Sequence, residues 1–74
     1  MKDQKALLLK CLRDDVPAIV ISSNDKLAIP VLLKYLEEAK KAGCSYEFLE
    51  DFADVIRDFN MYQLEESEKV KLPD

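Results

Sequence analysis

Apolar residues recur at helical spacing in three stretches of the chain and run together without alternation in another. The first periodic stretch is Lys2 to Asp14, where Ala6, Leu8, Leu9, Cys11 and Leu12 set an apolar face against a lysine-rich one and predict a helix. Asp14, Asp15 and Val16-Pro17 should end it, because proline drives the preceding residue out of the α region and acids are unfavourable at a helix C-terminus. Ala18-Ile19-Val20-Ile21 is the unbroken run, and its β-branched content reads as a short strand covered on both faces. Ser22, Ser23, Asn24 and Asp25 then form a polar turn able to accept hydrogen bonds from a helix start.

The second helix is predicted over residues 26–43. Leu27, Ala28, Ile29, Val31, Leu32 and Leu33 make its first turns apolar almost all round, so they should be covered from two sides, one of which a second subunit could supply. Pro30 falls in the opening turns, where its missing N–H costs little, and Gly43 supplies a left-handed stop. Ser45 is an N-cap for the third helix, with Cys44 and Leu49 at the two positions of a hydrophobic staple. Phe48, Leu49, Phe52, Val55, Ile56 and Phe59 repeat every three or four residues as its core stripe, continued by Tyr62. After Leu64 the period is lost. Residues 1–66 are therefore read as one domain and 67–74 as a charged tail, frayed or else adding Lys69-Val70-Lys71-Leu72 as a strand beside Ala18 to Ser22.

The expected fold is a mostly helical α+β domain in the order helix, strand, helix, helix. A lone strand needs partners for its backbone groups, from the tail or from the same strand of a second subunit about a twofold axis, and the second solution is preferred. Length points the same way, because a domain of 74 residues buries only about 60 to 65% of the surface its unfolded chain exposes and gains from self-association. The chain is 49% hydrophobic and 35% charged with a single glycine, a balance that fits a compact helical domain better than a disordered or disulfide-rich one. Cys11 and Cys44 form no CxxC motif and no histidine is present, so two free thiols in the cytoplasm are expected, with no metal or other cofactor. No secretory signal or membrane span is read in the sequence.

Charge is divided unequally. Residues 1–43 carry eight Lys/Arg against six Asp/Glu, and residues 44–74 carry three against nine. The acidic half argues against nucleic-acid binding, which needs a basic footprint, and suits a basic protein partner. Glu47, Asp51, Asp54 and Asp58, with Glu50 adjacent, line one face of the third helix. That stripe reads as a solvated face or as a docking surface; it lacks the loop geometry and carbonyl ligands of calcium sites. The turn Ser22 to Asp25 is the candidate ligand site, since such turns often hold anions, but no glycine lets the backbone approach a phosphate.

The apolar run, Asp25 in its turn, Leu27-Ala28 with Pro30, Tyr35, Ala39, Gly43 and the closing Lys71-Leu72-Pro73 together resemble a group of small bacterial and phage proteins. Ser23-Asn24 and Met61-Tyr62 depart from that pattern, at positions where a longer polar side chain and a tryptophan are expected. The resemblance implies a cytoplasmic accessory protein and supplies no catalytic residue. The expected function is accordingly a non-enzymatic interaction protein, an adaptor or regulator, and a homodimer. Its alternatives are a small enzyme or ligand-binding protein using the turn, or an acidic mimic of DNA.

Overall fold

A computed structural model describes residues 4–74. Helix α1 spans Gln4–Arg13, α2 spans Ala28–Ala42, α3 spans Tyr46–Glu65, and a 3-10 turn, Ser67–Lys69, follows. Lys2 and Asp3, the start of the first predicted helix, lie outside the described residues. Helix α1 stops where the sequence places its end, by a device of its own: Asp15 takes a left-handed conformation with φ of 57°. Aspartate tolerates that region better than most residues. The Val16 N–H then turns back to the Cys11 carbonyl at 2.9 Å.

The α+β expectation is overturned. Among the described residues there is no strand and no sheet, only an isolated parallel bridge between Asp25 and Lys71. Ala18-Ile19-Val20-Ile21 has no regular secondary structure, and Ile19 and Val20 are 84% and 73% exposed rather than covered on both faces. The physical reason is that β-branched composition favours an extended backbone, whereas a strand exists only through a ladder with a second segment. The tail does not supply that ladder. Lys71 pairs instead with the turn: its N–H donates to the Asn24 carbonyl at 2.9 Å, and the Lys26 N–H donates to the Lys71 carbonyl at 2.8 Å.

Helices α2 and α3 form an antiparallel hairpin that holds the core. Gly43 adopts φ of 81° and receives no contact that a Cβ would disturb, so its role is conformational. Its N–H reaches the Lys40 carbonyl and that of Cys44 reaches the Ala39 carbonyl, which closes the end of α2. Ser45 caps α3 as expected, its Oγ accepting from the Phe48 N–H at 3.2 Å. Cys44 is exposed, so the staple contact predicted with Leu49 does not bury it.

The first turns of α2 were expected to lie under cover on two sides, yet only one side is covered. Ala28, Ala39, Phe52 and Ile56 are buried, while Leu27, Val31, Leu33 and Tyr35 stay about half exposed. Phe52 is the centre of the packing: its ring stacks on Tyr35 at 5.0 Å between centroids and meets Phe48 at 5.9 Å. Burying such a side chain contributes about 1.5 to 3 kcal/mol. Helix α1 packs against neither α2 nor α3. It lies instead against Ala18 to Ile21, and the two form an arm joined to the hairpin through the polar turn.

Candidate functional site

Three regions compete as the site, and the structure treats them differently. The candidate ligand turn is closed by its own hydrogen bonds. Ser22 Oγ accepts from the Asn24 N–H at 3.3 Å, and Asp25 Oδ1 accepts from the Leu27 N–H at 2.8 Å, an arrangement that satisfies an amide just before α2 begins. Helix α2 starts at Ala28, two residues later than read from the sequence, and no side chain caps it. Asn24 Oδ1 accepts the Tyr62 hydroxyl at 2.5 Å. The Gln63 amide donates to the carbonyls of Ser23 and Asp25 at 3.1 and 3.3 Å. With Lys71 on its other flank, the turn is a clasp that ties α3, the tail and the base of the arm together. Beside it an open cleft of about 360 Å³ is lined by Ser22, Asn24, Lys69 and Lys71, among others.

Sequence reading missed this clasp, although a signal was present. Gln63 continues the core stripe, four residues beyond Phe59 and seven beyond Ile56, and a polar residue at such a position needs a partner. Its partners are backbone carbonyls 38 and 40 residues away in sequence.

The acidic stripe is present as read, with Glu47, Glu50, Asp51, Asp54 and Asp58 all exposed along α3. Arg57 pairs with Asp54 one turn back. The Tyr46 phenol donates a hydrogen bond to Glu50, and that bond together with the carboxylate charge holds the phenol above its ordinary pKa. Among the described residues no three Cys, Asp or Glu side chains converge as metal ligands would. On α2 the exposed charges balance locally, Lys34 and Lys41 each bridging Glu37 and Glu38 at 3.2 to 3.8 Å. Helix α3 has no such balance, with six acids and one arginine.

The third region is the arm. Leu7, Leu9 and Leu12 on α1 and Val16, Ile19 and Val20 beyond it are all more than half exposed. A groove of about 410 Å³ runs between α1 and Ala18 to Ile21, walled by Leu7, Leu8, Cys11 and Ile19 among others. Single exposed apolar residues are ordinary on any protein, whereas these six are concentrated within fourteen residues of chain. Among the described residues no helix is long and apolar enough to cross a membrane. Compared with protein-family models, curated proteins and solved structures, the chain finds no significant match.

Proposed function

We propose that this chain is a non-enzymatic interaction protein, an adaptor or regulator of the kind its resemblance to small bacterial and phage proteins implies, which works by binding other protein chains through its N-terminal arm. One observation carries the reading: the surface is too large for the mass. The chain exposes 6098 Å², whereas a folded monomer of 8.5 kDa exposes about 4,700 Å². The surplus, roughly 1,400 Å², exceeds the ~800 Å² that one partner contributes to an interface of standard size. The radius of gyration agrees, at 13.6 Å against about 11 Å for a compact chain of this length. The excess lies where α1 stands off the hairpin and where α2 is bare at Leu27, Val31 and Tyr35.

Catalysis and small-ligand binding at Ser22 to Asp25 have less in their favour, because Asn24, Asp25 and the backbone of that turn are engaged in holding the fold. The same reading has the protein work in the cytoplasm, where the free thiols of Cys11 and Cys44 stay reduced. The test is to immobilise the full chain and, beside it, a Leu9→Asp/Leu12→Asp variant, and to identify by mass spectrometry what each retains from its host. Proteins held by the parent and lost by the variant support the reading. Equal retention by both refutes it, since the arm would then play no part.

A further inference from the structure

We infer that the arm is covered by a second copy of this chain, each subunit's α1 lying on the other's hairpin against α2 and the edge of the acidic face of α3 that borders Phe48 and Val55. The inference rests on the interaction reading above and names the partner. Two observations select a second copy over an unrelated protein. The first is charge. Within Gln4–Arg13 the arm carries Lys5, Lys10 and Arg13 and no acid, Arg13 also pairing with Asp14 just beyond the helix at 3.2 Å, while α3 carries Glu47, Asp51 and Asp58 in one stripe beside Phe48 and Val55 with further acids next to it. One molecule thus presents both halves of a complementary pair, on elements that do not pack together within it.

The second observation is area. A reciprocal contact about a twofold axis uses the arm and the hairpin face of each subunit at once, so both bare apolar surfaces are covered by one event. Leu9 and Leu12 of the arm then meet Leu27, Val31 and Tyr35, which border α3 through the stack of Tyr35 on Phe52. A contact that removed the surplus of roughly 1,400 Å² from each subunit would reach the size of a stable, specific dimer. The groove of about 410 Å³ in the arm remains on the side of α1 turned to Ala18 to Ile21. It is not needed for the exchange.

The test is a charge swap read by sedimentation equilibrium and light scattering on full-length protein, with circular dichroism to establish that each variant is folded. One variant, Lys5→Glu/Lys10→Glu/Arg13→Glu, makes the arm acidic; the other, Glu47→Lys/Asp51→Lys/Asp58→Lys, makes the bordering edge of α3 basic. Alone, each sets like charge against like at both contacts of the dimer and should weaken association by at least about tenfold, whereas an equimolar mixture sets opposite charges at both and should restore it to within a fewfold of the parent. Parent association should also weaken as salt is raised from about 0.05 to 0.5 M, through screening of those pairs. A parent that stays at 8.5 kDa up to about 100 μM, well above the micromolar range of ordinary transient contacts, overturns the second copy. So do folded variants that fail to recover on mixing. If either variant is unfolded, Leu9→Asp/Leu12→Asp replaces the swap, and a dimer undiminished by it overturns the proposal. A monomeric parent that still retains a different protein through its arm leaves the interaction reading standing, and a dimer that retains nothing else removes the adaptor and keeps the exchange.

Discussion

Replacing Gln63 by alanine isolates the clasp, because the side chain is partly buried and its amide reaches two backbone carbonyls at once, those of Ser23 and Asp25 at 3.1 and 3.3 Å. Each such bond contributes about 0.5 to 1.5 kcal/mol net, and water can reach the partly exposed carbonyls in the variant, so the expected loss is about 1 to 2 kcal/mol. Against a total of roughly 4 to 11 kcal/mol for a chain of this length, that is a large fraction. It should lower the melting temperature by about 5 to 15 °C. The assay is urea unfolding followed by circular dichroism at 222 nm, at one fixed protein concentration because association would shift the midpoint. Gln63→Glu provides a second arm with a sign. A carboxylate facing two carbonyls is disfavoured, so the introduced group has its pKa raised in the folded state above its unfolded value of about 4.3. Relative to Gln63→Ala, the variant is then most stable below about pH 4 and loses stability as pH rises through the folded pKa. A loss below about 0.3 kcal/mol for Gln63→Ala, smaller than any net hydrogen bond, would refute the clasp as described, and so would a pH dependence of the opposite sign.

Ser45→Ala should cost about 1 kcal/mol and Ser45→Gly only a few tenths, measured in the same unfolding experiment, since the lost interaction is the cap on the Phe48 N–H. Gly43→Ala should cost about 1 to 2 kcal/mol although nothing stands within 4 Å of the new Cβ, because the penalty comes from φ of 81° and not from crowding. Site-resolved titration of Tyr46 by NMR should find its phenol above the ordinary value, and Glu50→Gln should bring it back down by removing the carboxylate that accepts its hydrogen bond.

How far the sequence could be read depends on whether each signal is local. The cap at Ser45, the stop at Gly43, the aromatic stripe of α3 and the acidic face opposite it are set by neighbours within a few residues, and the structure contains all of them. Ala18-Ile19-Val20-Ile21 misled because its composition reports a preference for extended backbone and burial, while a strand requires a partner segment that composition cannot supply. The surroundings of α2 were half legible. Its breadth of apolar surface called for two covering surfaces, and the chain provides one, in α3. The clasp was illegible apart from Gln63, since Asn24, Tyr62 and Lys71 are ordinary polar residues until folding brings them to one turn.

Under the exchange proposed above, the isolation of α1 turns concentration into a folding variable. A ten-residue helix is marginal in water without tertiary support, because nucleation costs more than so few propagating bonds return. Among the described residues, the segment that lines the groove with it is Ala18 to Ile21, itself largely exposed. The ordering of α1 is therefore coupled to its being covered, and part of the binding free energy is spent on winding the helix. In amide hydrogen exchange, α3 should be protected to the same degree at any dilution, whereas protection of α1 should rise with protein concentration as the arm is engaged. The arm would then report occupancy through its own helicity, and the hairpin would fold without reference to it.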